Sequence, residues 1–225
     1  IYPVIIISMK VSELGEFNLI KQLQGMVEGS SIEMKSMKRS PSLEFTLGIG
    51  DDAAAWRLGD VTHVCTTDTM VSDVHFTIND QISWHDIGWK AIASNLSDIA
   101  AMGCTPNYIM VTLGLPPDTD TGDMLELYSG LNYCCEESGS MIVGGDIVRS
   151  ETLFITIAII GTTLGELLLR TTAKAGDSIA VTGHLGGAAG ALKLYTEQKK
   201  PSGKLSNSQK SDLVNQQPSI TKDHN

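Results

Sequence analysis

The order of strand and helix signals predicts an α/β or α+β sandwich, a sheet with helices on one face. Two long segments, 83–103 and 121–138, carry apolar residues at helical spacing with start and stop signals at their ends. Shorter runs at 53–58, 61–67, 107–115, 141–143 and 152–161 are apolar or rich in β-branched residues, and turn residues bound most of them. With 225 residues, 42% of them hydrophobic, the chain can fill one large or two small cores.

Residues 1–8, Ile-Tyr-Pro-Val-Ile-Ile-Ile-Ser, form an apolar run too short to span a membrane and without a basic region before it. They read as an extension or an edge strand. A helix is predicted from Ser12 as N-cap, with Leu14, Phe17, Leu19, Ile20 and Leu23 as its apolar face. Between Gly29 and Ser42 the chain turns polar and basic, with Lys35, Lys38 and Arg39 among serines, as in a mobile connector.

Gly48-Ile-Gly-Asp-Asp52 joins flexible glycines to two adjacent carboxylates, which repel unless a cation or hydrogen-bond donors lie between them. The pattern suits a metal loop or an ordinary exposed turn. Ala53–Leu58 and Val61–Thr67 follow as paired strands around a Gly59-Asp60 turn. The second runs into Thr66-Thr67-Asp68-Thr69, which places a carboxylate with two hydroxyls at a strand end. Such groups serve either as metal or phosphate ligands or as plain strand residues. His75, beside Phe76, reads as a core histidine.

The helix 83–103 begins with a Ser83/Asp86 capping pattern and ends at Gly103. Ile92, Leu96 and Ile99 mark one face; Lys90, Ser94 and Asp98 form a polar stripe on another. Asn95, Ser97 and Asp98 cluster in a helix otherwise built of small apolar residues, where these types propagate poorly, so the cluster calls for a functional reason. Asn107–Leu115 reads as a buried strand closed by two prolines. Thr121–Ser138 is an amphipathic helix with Met124, Leu127, Leu131 and Cys134 or Cys135 inward, stopped by Gly139. A short strand, Met141–Val143, delivers Gly144-Gly145-Asp146 at its end, and Thr152–Gly161 is a further strand. Ser178–Thr182 reads as a strand, and glycines 183, 186, 187 and 190 open a small-residue helix whose glycines serve close packing.

The net charge of −10 argues against nucleic acid or an anionic membrane as partner. A polyanionic ligand would need a divalent metal held by the carboxylates. Cys65, Cys104, Cys134 and Cys135 show no zinc spacing and read as reduced thiols of a cytoplasmic protein.

Taken together, Gly48–Asp52, Thr66–Thr69 with His75-Phe76, Trp89–Gly103 and Gly144–Asp146 resemble the thiamine-monophosphate kinase family, within the aminoimidazole ribonucleotide synthetase-like superfamily. The resemblance covers about residues 9–195, and Arg170–Asp177 favours the thiamine-phosphate branch. It implies an α+β fold in which the mixed sheet of an N-terminal domain forms a barrel with that of a second copy, giving a homodimer. An ATP- and magnesium-binding domain would span 9–165, the start of an incomplete second α/β domain 166–198, and a disordered tail 199–225. The implied activity is ATP-dependent phosphorylation of thiamine monophosphate, with several Mg2+ ions, and neither nucleic acid nor membrane as partner. Asp52, Thr66, Thr67, Asp68, Asp98 and Asp146 would hold metal, with Asp98 and Asp146 catalytic. Tyr128, Gly145, Asp146 and Arg170 would meet ATP, and His75 would move from core residue to substrate contact. The Ser-Asp-Gly and Gly-Glu-Asp-Tyr segments that the family carries further on do not occur, so an inactive nucleotide- and magnesium-binding dimerisation module, or a superfamily enzyme with another substrate, is the alternative reading.

Overall fold

The computed structural model describes residues 10–34, 43–79, 82–181, 183 and 185–198. The extension 1–8, the tail 199–225 and residues 35–42 of the basic connector lie outside these. The chain divides into two compact units, Ile1–Thr172 and Ala173–Asn225.

The first unit is built on a six-stranded mixed sheet. In chain order its strands are β1 (Leu43–Leu47), β2 (Ala54–Leu58), β3 (Val61–Val71), β4 (Thr105–Leu115), β5 (Met141–Arg149) and β6 (Phe154–Thr163). Their order across the sheet is β1-β2-β3-β6-β4-β5. Only β4 and β5 run parallel; all other neighbours are antiparallel. A parallel pair cannot be closed by a tight turn, and the helix α4 (Thr121–Ser138) makes the crossover. The helix α3 (Trp84–Ala101) lies against β3, β6 and β4, and α4 packs on α3 and β5.

Helix limits follow the capping chemistry. Ser83 caps α3: its Oγ accepts from the Asp86 N–H at 3.0 Å and donates to the Asp86 carboxylate at 2.8 Å. Gly103 (φ 69°) and Gly139 (φ 70°) stop the two helices where the sequence places the stops. Gly88 and Gly130 let α3 and α4 approach until a Cβ on either would run into the other helix's backbone, at Leu127 and His85 respectively. The core between helices and sheet holds Ile92 and Ile99 of α3, Leu127 and Leu131 of α4, Ile109, Val111 and Leu113 of β4, and Ile155, Ile157 and Ile159 of β6. Alternate residues of β3 and β6 are buried under α3, so one sheet face is covered and the other open. This is the expected mixed α+β sheet with helices on one face.

Several expectations need correction. The N-terminal helix is capped at Lys10, not Ser12; a short helix, α1 (Val11–Leu14), ends at Gly15, and α2 runs Glu16–Met34, past the expected connector start at Gly29. Phe17, Ile20, Leu23, Met26 and Val27 of α2 are exposed, Phe17 by 86%. β1, Leu43–Leu47, forms where no element was expected. β3 and β5 continue through Asp68 and Asp146, which therefore sit inside strands and not at strand ends, because β6 and β4 keep offering backbone partners. In the second unit, residues 178–181 form no strand, and α5 spans Gly187–Gln198.

Candidate active site

The Gly-Asp-Asp loop connects β1 to β2. Asp51 is only 6% exposed in its side chain, and its oxygens are taken by backbone donors: Oδ1 accepts from the Asp52 N–H at 2.9 Å and Oδ2 from the Arg170 N–H at 3.2 Å. Asp51 is thus the anchor of the loop, which leaves Asp52 as its outward carboxylate. Asp52 pairs with the Arg170 guanidinium, and the hydrogen bond and charge of Asp52 push the arginine's pKa up. The segment after β6 delivers Arg170. Its Leu168 N–H bonds to Met102 O at the end of α3 at 3.2 Å, while Leu167 and Leu169 pack on the core.

A second pair of carboxylates lies where β3 passes α3. The Thr66 hydroxyl donates to Asp98 Oδ2 at 2.8 Å. Two residues on, the Asp68 N–H donates to Oδ1 of Asn95 at 2.9 Å, and the Asn95 Nδ2 donates to Ala91 O at 3.0 Å. Asn95 is fully buried, and these bonds satisfy both ends of its amide. Burial pushes the Asp98 carboxyl up; the Thr66 hydroxyl lowers it, the charges of Asp68 and Asp52 raise it again, and Arg170 opposes them. Asp52, Asp68, Asp98 and Arg170 therefore share one electrostatic neighbourhood.

The remaining expected residues lie elsewhere. Thr67 alternates to the open face, where its hydroxyl donates to Ile157 O at 2.9 Å. Cross-strand register runs Thr69, Thr156, Thr112, Asp146 across four strands, so Asp146 also faces the open side. A bulge between Ile109 and Met110 sets this: without the extra residue in β5, Asp146 would face the helices. Gly145 brings β5 so close to β4 that a Cβ would strike the Val111 carbonyl. Tyr128 is half-buried on α4 against the hydrophobic core, and burial pushes its phenol up. His75 stands exposed in the turn after β3, its Nδ1 accepting from the Val71 N–H at 3.0 Å; it is no core residue.

The model of the family described as "AIR synthase related protein, N-terminal domain" matches residues 50–163. The chain belongs to the AIR synthase related family. This AIR synthase related chain is 39% identical over 158 residues to the thiamine-monophosphate kinase of Bacillus subtilis (strain 168), covering 69% of the chain and 48% of that protein. To the thiamine-monophosphate kinase of Aquifex aeolicus (strain VF5) it is 32% identical over 192 residues, covering 85% and 56%. A solved structure described as AaThiL complexed with AMPPCP and TMP superposes with a TM-score of 0.75 at 29% identity, covering 92% of this chain and 60% of the other. The chain spans about half the length of the curated relatives it matches. The family match contains every expected site residue except Arg170. Sequence reasoning missed Asn95 as the clamp on Asp68. The polar cluster it noted in a helix of small apolar residues was the available signal.

Proposed function

We propose that the chain serves ATP-dependent phosphorylation of thiamine monophosphate to thiamine diphosphate. The observation that carries this is the Asp52–Arg170 ion pair together with Asp98 held by Thr66 and Asp68 held by Asn95, in a chain that superposes on a structure solved with AMPPCP and TMP. A phosphate oxygen of thiamine monophosphate bonds to the γ-phosphorus of ATP; the bond to the β,γ-bridging oxygen breaks, and ADP leaves with the electron pair. Because the second pKa of a phosphate monoester lies near about 6, the nucleophile is already ionised at neutral pH and no general base is required. Positioning and charge neutralisation carry the catalysis.

The donors are hard oxygens, the chemistry Mg2+ prefers. Among the described residues no three His, Cys, Asp or Glu side chains stand as a ready metal site. Mg2+ is ordinarily bound through one or two carboxylates together with substrate phosphates, not in an all-protein cage. Asp52, Asp68 and Asp98, with Thr66, would hold the ions, which supply neutralisation of the phosphate charge. Arg170, 64% exposed in its side chain, turns from Asp52 to the ATP phosphates, and His75 meets thiamine monophosphate. Thr67 would reach the metal only through its carbonyl. Asp146 meets nucleotide from the open face, which a second copy covers in a homodimer, while Gly145, its neighbour in β5, lies on the helix side opposite Val111. Tyr128 shapes the nucleotide side from α4.

Incubating the protein with ATP, Mg2+ and thiamine monophosphate should yield thiamine diphosphate above a no-acceptor control, and Asp98→Asn should abolish it. Unchanged turnover in that variant removes Asp98 from the mechanism. The open-face position of Asp146 favours a second reading, a nucleotide- and magnesium-binding dimerisation module; binding of Mg2+ with ATP but no product would select it.

A further inference from the structure

The turn that carries His75 is tied from two sides. β3 ends at Val71, Ser72 bridges to Phe76, and Asp73 takes a left-handed conformation at φ 61°, uncommon for a residue with a side chain. Backbone bonds from Asp73 N–H to Phe76 O at 2.7 Å and from His75 N–H to Val71 O at 2.9 Å close it, and Phe76 is buried beneath. From α3, the Lys90 ammonium donates to the His75 carbonyl at 2.7 Å. Inside the turn, the Val71 N–H donates to His75 Nδ1. A backbone N–H has only a proton to give, so Nδ1 carries none, and in the neutral ring the proton sits on Nε2.

We propose that Lys90 positions His75, whose ring the turn holds with Nδ1 on the Val71 N–H, leaving Nε2–H as a hydrogen-bond donor to an anionic oxygen of the acceptor substrate. The inference rests on the reading that the acceptor is a phosphate monoester. Nε2 is the ring nitrogen left for a ligand, since Nδ1 is spent on Val71. Lys90 fixes the carbonyl end of the same residue and adds positive potential beside an anion. The polar stripe of α3 then has a division of labour. Asp98 at one end meets Thr66, and Lys90, two turns or about 12 Å away along the axis, meets His75. Ser94 between them turns its hydroxyl to Ala91 O of its own helix.

Proton–nitrogen correlation spectra of the histidine rings in the whole chain at neutral pH, with His75 assigned by His75→Ala, read the tautomer directly. The expected result is an unprotonated Nδ1 and a protonated Nε2 in the wild type, averaging between tautomers in Lys90→Met, and return of the fixed tautomer in Lys90→Arg. Calorimetric affinity for thiamine monophosphate should fall about tenfold in Lys90→Met, the scale of one hydrogen bond to a charged group, while AMPPCP affinity stays within about twofold. A protonated Nδ1 in the wild type, or a His75 spectrum unchanged in Lys90→Met, overturns the proposal. If the wild type does not bind thiamine monophosphate, the substrate reading fails, and the spectra still decide the tautomer and the role of Lys90.

Discussion

Thr66 and Thr67 are the same residue one position apart, yet they live in different environments. Thr66 faces α3 and bonds to Asp98; Thr67 faces the open side and bonds to a backbone carbonyl of β6. The same contrast extends across the sheet. The covered face combines an aliphatic core with a carboxylate group at its margin, where Asn95 and Thr66 hold the acids in place. The open face carries a row of hydroxyls, Thr69, Thr156 and Thr112, ending in Asp146, and the stacked pair Trp56 and His63, whose ring centroids are 5.8 Å apart. Strand alternation thus divides one acidic and hydroxyl-rich sequence into two sets with different chemistry.

Stability should divide the same way. Ile157→Ala, at a position 1% exposed under α3, should cost about 2–5 kcal/mol in urea unfolding. Thr156→Ala, its neighbour on the open face, should cost less than about 1.5 kcal/mol, the worth of its hydrogen bond to Thr69. Equal costs would erase the distinction between faces. Next in size is Asn95→Leu, which removes the acceptor for the part-buried Asp68 N–H and should destabilise by about 1 kcal/mol, the net worth of one hydrogen bond. Loss of nucleotide affinity in the same variant, at temperatures where it stays folded, would tie the clamp to the site.

The smallest effect concerns pH. The Asp98 pKa is raised from 3.8 chiefly by burial, then by Asp68 and Asp52, so its ionised form is disfavoured in the folded state. Below 3.8 both states are protonated and Asp98 costs nothing; as pH rises through the folded pKa, the folded state loses stability relative to the unfolded. Asp98→Asn should therefore unfold at higher urea than the wild type at neutral pH, with the gain shrinking toward pH 3. A gain that is the same at both pH values would remove burial of the charge as the cause.

Much of the fold was legible in the sequence because its signals are local. α3 and α4 carry their own caps and stops, and α4 spans the predicted residues. β1 was missed because Leu43-Glu-Phe-Thr-Leu47 abuts a polar connector and is mostly exposed, so only its pairing with β2 defines it. Thr-Asp-Thr and Gly-Gly-Asp read as strand ends, since Asp and Gly are disfavoured within strands, but the ladders with β6 and β4 override that preference. For the site, residue types were legible and faces were not. The bulge at Ile109/Met110 inverts the parity of β5, and no local pattern announces it, so Asp146 could be grouped with Asp98 by sequence while the sheet separates them. Arg170 reaches Asp52 across 118 positions through the packing of Leu167 and Leu169, a tertiary link that sequence spacing does not encode.

Asp68 and Thr67 are adjacent in one strand and face opposite ways, so substituting each in turn isolates the covered face. Calorimetric titration of Mg2+ with AMPPCP into the wild type, Asp68→Asn and Thr67→Val tests whether the nucleotide site lies there. The wild type should bind, Asp68→Asn should lose about tenfold or more, equivalent to about 1.4 kcal/mol, and Thr67→Val should change within about twofold. Absence of wild-type binding, or a loss in Thr67→Val as large as that in Asp68→Asn, would contradict a nucleotide site on the covered face.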